Sequence, residues 1–304
     1  MTSILDRPLK ARTLSKLSPR RRVANGVATV AVSLSLVIAL APLLWVLWSV
    51  VAKGFRAIAS ASWWTHSQAG MTPLSIGGGA YHAILGTLLQ GLLCAAMSVP
   101  VGILIAIYLV EYGRGTLRGR LASFMIDILS GVPAIVAALF IYALFVATLG
   151  LPRSQFAAAL ALVLLMLPVI VRATEEMLLI VPADLREASY ALGVPKWKTI
   201  VRVVIPTGLP GIVTGVLLAL ARVVGETAPL LILVGYSQAI NLNAFRGFMG
   251  TLPGMMYDQT SAGAGVNPIP TERMWGAALT LIAIVAVINI GARMVSMIFA
   301  QKNP

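Results

Sequence analysis

Glu187-Ala188-Ser189-Tyr190-Ala191-Leu192-Gly193-Val194-Pro195-Lys196-Trp197-Lys198-Thr199-Ile200-Val201-Arg202-Val203-Val204-Ile205-Pro206 lies between two long apolar segments and reads as two short helices around a glycine turn. Pro182, just upstream, suits the first turn of a helix, and Asp184 suits its positive N-terminal end. Leu185, Ala188, Ser189 and Leu192 recur at helical spacing and make a narrow face of small and apolar residues. Gly193 fits a left-handed position just past the helix end, and Pro195 prevents continuation. A second short helix over about 196–204 is expected to end at Pro206, before the next apolar segment. Arg186, Glu187, Lys196 and Lys198 flank the face and could fix its register in a groove on another protein. Taken alone, the pattern also describes a plain amphipathic loop at a membrane surface.

The composition decides what surrounds this stretch. Of 304 residues, 59% are hydrophobic and 11% charged, and the mean hydropathy is +0.91. Soluble domains carry about 25% charged residues, and none of this size hides so much apolar surface. The chain is therefore expected to be an all-α integral membrane protein. Its net charge of +13 sits beside apolar runs on alternate sides, as orientation signals do. No soluble basic face remains to hold nucleic acid. The single cysteine, Cys94, lies in an apolar run and reads as a small core filler.

A membrane span needs about 20 apolar residues. Six segments qualify, at about 27–52, 83–110, 122–148, 156–174, 208–235 and 275–300. The first follows Arg20-Arg21-Arg22 but is far longer than a signal-peptide core of about 7–15 residues, so it is retained as a span. The chain then divides into a basic tail over 1–26 and a transmembrane domain over 27–304. The core of that domain spans about 83–300, with the polar loop over 175–207. Prolines 42, 100, 133, 168 and 229 fall within or near span ends, where membrane bundles tolerate them.

Lysine and arginine set the orientation. The tail, the second-to-third loop (Arg114, Arg118, Arg120) and the fourth-to-fifth loop (Arg172, Arg186, Lys196, Lys198, Arg202) are rich in them. The other side keeps only Lys53, Arg56, Arg153, Arg246 and Arg273, despite longer loops. Both termini are thus expected on the cytoplasmic side. Trp63 and Trp64 read as interfacial anchors, and His66 and His82 as surface groups. Asp127 is expected to pair with Arg120, to cap a helix, or to line a path. Glu175 and Glu176 read as solvated charges. The outer segment 236–274 is long enough to suggest a docking surface.

Arg222 and Glu226 lie inside the fifth apolar run. Spacing i,i+4 places both on one helix face, close enough to pair. Charges at that depth cost about 2.5–3.5 kcal/mol or more and face the bundle interior or a pathway. One reading is a self-neutralised pair that locks packing. The other is a polar station for an oxyanion, because a guanidinium binds phosphate bidentately. Glu226 would keep the anion from being trapped, and Thr227 adds a hydroxyl.

Two motifs carry a family resemblance. Glu187, Ala188, Ser189, Gly193, Val203, Ile205 and Pro206 fall in register with the EAA loop of ABC-importer permeases, with Ser189 in place of alanine and Val203-x-Ile205 in place of the usual Ile-x-Leu. The run Ala221-Arg222-Val223-Val224-Gly225-Glu226-Thr227-Ala228-Pro229 resembles the A-R-x-x-G-E-T-A-P segment of PstA-type subunits in the phosphate-specific (Pst) permease family. The resemblance covers nearly the whole chain. It implies a type I ABC-importer permease fold with a cytoplasmic coupling helix, in the plasma membrane. It also implies phosphate as substrate, a PstC-type permease as partner in a heterodimer, a PstB-type ATPase dimer, and a PstS-type extracytoplasmic binding protein. Glu187, Ala188, Ser189, Gly193, Ile205 and Pro206 would contact the ATPase, and Arg222, Glu226 and Thr227 would line the path.

The chain contains no G-x-x-x-x-G-K-[ST] phosphate loop and no cluster with metal-ligand spacing. A non-catalytic subunit without cofactor is expected, which borrows ATP hydrolysis from its partner. A permease for sulfate or molybdate satisfies the same physical arguments. A secondary transporter would dispense with the coupling loop.

Overall fold

The computed structural model describes residues 19–300, and all but the last eight residues of the predicted 1–26 tail, together with Lys302, lie outside them. Among the described residues the protein is helical, and a lone bridge between Ala264 and Asn267 is the extent of its β-structure. The chain divides between Ser49 and Val50 into two units. The first is most of helix α1, Pro19–Ile58. Within it, Ser35 Oγ donates to the Ala31 carbonyl at 2.8 Å, the local bond a hydroxyl makes where water is scarce.

The second unit is built around α6, Gln155–Ile180, whose apolar stretch is half buried. Helix α3, Tyr81–Ile107, and helix α9, Ile205–Val224, pack against α6 and against each other. Cys94, Leu162, Met166, Ile170, Ala219 and Val223 fill the space between them. In lipid, apolar area gives helices little reason to associate, so close backbone approach has to do so. Small residues make that approach possible. A Cβ on Gly102 would lie 2.7 Å from Ile170 Cγ2, and one on Gly215 would lie 2.5 Å from Ala173 Cβ. Helix α12, Pro268–Ala300, packs on the other side of α9.

Among the described residues, five helices are long and apolar enough to cross a membrane, or six if one bent pair counts as a span. That pair lies where the third span was expected, over 122–148, and is sharply bent. Helix α4, Leu117–Ser130, ends at Gly131, and α5, Ala134–Ile141, restarts after Pro133 at 104° to it. Proline lacks an N–H and keeps the residue before it out of the helical region, so the ladder cannot pass through. A widened π-helical turn, Tyr142–Thr148, extends α5. The fifth apolar run is also interrupted. Helix α9 stops at Val224, and a separate helix α10, Ala228–Leu233, follows Thr227. Helices α5 and α10 pack together against the first half of α6.

A polar cap closes the end of the unit formed by helix α2, Ala61–Thr65, and helix α11, Leu252–Ser261. It revises two expectations. Trp63 is 3% exposed and donates its indole N–H to Thr280 Oγ1 at 2.9 Å, so it joins the loop to α12 rather than anchoring at an interface. Trp64, by contrast, is exposed. His82 is buried and bonded to the Tyr236 hydroxyl at 2.9 Å, whereas His66 is exposed as expected. Arg273 donates to the carbonyls of Ser75 and Gly77 at 2.6 and 3.0 Å. Burial pushes the Asp258 carboxyl above its ordinary range, against the opposing bond from Gln259.

The helix contacts make a steric prediction. Gly102→Leu drives a side chain into Ile170 and should cost about 1–3 kcal/mol. A Cβ on Gly291 would meet nothing within 4 Å, and Gly291→Leu should be near neutral. Thermal unfolding of the purified complex in detergent, followed by size-exclusion recovery, checks the difference.

Candidate functional site

The loop singled out in the sequence forms helix α7, Ala183–Ala191, and helix α8, Lys196–Thr199. Gly193 takes the left-handed conformation, φ +75°. Its N–H donates to the Tyr190 carbonyl at 2.9 Å and the Val194 N–H to the Ser189 carbonyl at 3.2 Å, the paired bonds that close a helix C-terminus on glycine. Ser189 is buried and its hydroxyl bonds to Thr199 Oγ1 at 2.8 Å, which clasps α7 to α8. It therefore organises the loop from inside rather than sharing the outer face.

The second part of the loop departs from expectation. The short helix does not end at Pro206. Lys196 to Val224 is continuous, through a π-helical turn at Ile200–Val204 in which the Ile205 N–H bonds to the Ile200 carbonyl. The wider turn accommodates Pro206, which brings no N–H of its own. Ile205 and Pro206 thus sit within a membrane helix.

The surface left open is more apolar than the sequence reading recognised. Leu192 is 83% and Trp197 63% exposed, with Leu185 and Tyr190 also open to solvent. Glu187 and Ala188 lie on the same exposed side of α7. Arg186 and Lys196 do not belong to it. Arg186 turns inward to Glu111, with NH2 3.1 Å from Oε1, and Lys196 bonds to the Glu111 carbonyl. Trp197 could have been found in the sequence, as a large aromatic in an otherwise charged turn. Glu111 could have been noticed as an acid flush against the end of an apolar run.

The second group of residues lies at the other end of the same helix. Gly225 ends α9 at φ −89°, and the Glu226 N–H folds back to the Val223 carbonyl at 3.1 Å. This break removes the i,i+4 geometry on which the predicted Arg222–Glu226 pair depended. Among the described residues Arg222 has neither an ion-pair nor a side-chain hydrogen-bond partner, and it is exposed. Glu226 and Thr227 are half-buried. Arg153 holds the far end of α10, donating through Nε to the Ile232 carbonyl at 2.9 Å, as a cation near a helix C-terminus does. At the break the Gly225 N–H likewise turns back, to the Arg222 carbonyl at 3.3 Å.

A third charged group was read differently from the sequence. Asp127 pairs with Arg172 of α6, not with Arg120. Arg172 also pairs with Glu175 at 2.6 Å and donates to Ser123 Oγ at 2.9 Å. Glu175 is therefore a structural partner rather than a solvated charge. No group of three or more metal-ligating side chains occurs among the described residues.

Comparison with known proteins places this arrangement. Residues 98–302 match the model of the binding-protein-dependent transport system inner membrane components. The chain belongs to this family of transport permeases. It is 54% identical over 301 residues to the phosphate transport system permease protein PstA 1 of Mycobacterium tuberculosis (strain CDC 1551 / Oshkosh), covering 98% of this chain and 97% of that protein. It is 56% identical over 288 residues to the phosphate transport system permease protein PstA of Mycobacterium leprae (strain TN), covering 94% and 93%. In fold it resembles a bacterial alginate ABC transporter solved with its alginate-bound periplasmic protein, with TM-score 0.63, 15% identity, and 91% and 96% of the two chains covered. The fold is that of the type I ABC-importer permeases, and the protein is a multi-pass membrane protein.

Accessibility separates the residues of this permease. In the purified chain, Arg222→Cys should react with a polar thiol reagent, while Cys94, at 0% exposure, stays unmodified. Mass spectrometry after labelling reads both at once.

Proposed function

We propose that the chain is the transmembrane permease subunit of an ATP-driven importer for inorganic phosphate, forming half of the path and coupling it to a separate ATPase. The carrying observation is nearly full-length similarity, at 54–56% identity, to permeases named for phosphate transport. The geometry at Arg222 supports it. An arginine without a partner inside an apolar span is costly, so its counter-charge is expected from outside the chain. A guanidinium presents a planar fork of donors that suits a phosphate oxyanion. The Thr227 hydroxyl adds a donor beside the break, and irregular backbone at membrane depth persists where it lines a cavity or is buried in protein. Glu226 is near enough to temper the field, so that the anion is attracted and then released.

The subunit works without catalytic chemistry of its own. The exposed apolar surface of α7 and α8, with Glu187 at its side, docks on a PstB-type ATPase dimer. A PstC-type permease completes the path, and a PstS-type binding protein delivers phosphate from the other side. The lysine and arginine bias supports a cytoplasmic side for both termini and the α7–α8 loop.

Radiolabelled phosphate uptake into proteoliposomes holding all four components tests the substrate. Uptake should require ATP and ignore excess sulfate, and Arg222→Ala should abolish it while the complex still assembles. Sulfate competition would reassign the substrate, and uptake without ATP would point to a secondary transporter. The docking surface has its own test. The ATPase should bind inside-out vesicles carrying the permease pair, not right-side-out ones, and Glu187→Lys should remove that binding; unchanged recovery would overturn the docking assignment.

A further inference from the structure

One guanidinium links the docking loop to the membrane bundle. Arg186 of α7 donates from Nε to Glu111 Oε1 at 3.2 Å and places NH2 3.1 Å from the same oxygen. Its other donors reach the carbonyls of Val181 at 2.6 Å and Leu178 at 2.8 Å, at the end of α6. The Glu111 side chain is 6% exposed and that of Arg186 18%. Glu111 sits in the π-helical turn Tyr108–Tyr112 that ends α3. Lys196, at the start of α8, bonds to the Glu111 carbonyl and lies 4.7 Å from the centre of the Tyr112 ring. The ends of α3 and α6 and the starts of α7 and α8 therefore meet at one residue.

We propose that the Glu111–Arg186 pair is a force-transmitting strut, which makes the end of α3 move with the docking loop when the ATPase moves it. The inference rests on the reading of α7–α8 as the ATPase dock. The two bonds from Arg186 to the α6 carbonyls are local in sequence and only shape the turn at 178–186. The bond to Glu111 is the long-range one, and it spans 75 positions. A pair shielded from water is screened little by salt and is costly to break from one side. It holds its length under load better than a solvated contact does. The load does not stop at α3. A Cβ on Gly119 of α4 would lie 2.1 Å from the Gly113 carbonyl, so the start of α4 rests directly on the end of α3. Arg186 and Glu111 face away from the docking surface and act through the helices they join. They are positioning residues, and losing one should uncouple rather than undock.

Glu111→Gln keeps the shape of the side chain and removes its charge. In proteoliposomes with all partners, the ATPase should still co-purify and hydrolyse ATP, while phosphate carried per ATP falls at least about fivefold. Lys196→Met, which leaves the pair intact and loosens the second tie, should lower the same ratio less, and it supplies the reading if Glu111→Gln does not assemble. Uptake and hydrolysis falling in the same proportion, or an unchanged ratio beside a competent wild type, would overturn the strut. A wild-type complex that takes up no phosphate with ATP would remove the functional reading first, and the strut with it.

Discussion

Hydrocarbon offers no hydrogen bonds, so every backbone group at membrane depth needs a partner from the protein. That constraint makes the chain helical and makes each interruption informative. Most of the helices satisfy it simply. Ser154, Thr116 and Thr251 cap α6, α4 and α11 by accepting from backbone N–H groups. The breaks at Gly131–Pro133 and Gly225–Thr227 do not satisfy it simply. Each interrupts an otherwise apolar run, and the short helices that follow them, α5 and α10, pack together on α6. One break carries Arg222, Glu226 and Thr227. Polar side chains thus coincide with an interrupted helix, which supports the proposed path through the protein.

The same constraint explains what the sequence disclosed. Span length and apolar content are local properties, and five helices and a bent pair lie where the apolar runs lie. The turn at Gly193 was legible because a left-handed C-terminus followed by Pro195 has few solutions. The breaks were less legible, since Pro133 and Gly225 look like the prolines and glycines that membrane helices absorb. Pairings at long range were not legible. Arg172 meets Asp127 across 45 positions, Trp63 meets Thr280 across 217, and Arg186 meets Glu111 across 75. Read alone, each of those side chains defaults to solvent or to an interface, because nothing local identifies a buried partner.

The two candidate sites are ends of one object. The helix Lys196–Val224 starts in the α7–α8 loop and finishes two residues after Arg222. At 1.5 Å per residue it is about 40 Å long. A displacement at Lys196 therefore reaches Arg222 along one unbroken helix. The interior of that rod is not uniform. The π-helical turn at Ile200–Val204 and the prolines at 206 and 210 lie close to its loop end, where they permit bending. Beyond them, Gly211 and Gly215 sit directly on Met177 and Ala173 of α6. The rod is thus bendable near the loop and tightly seated further along, so the α6 contact lies as a fulcrum between the α7–α8 loop and the charged break. A motion that bends the first part must then pivot or slide the second against α6. The break after Val224 is where such a motion can be taken up, because α10 is held separately by α5 and by Arg153. A motion of α9 therefore shifts Arg222 relative to α10, which is the displacement that the proposed role of Arg222 in the path requires.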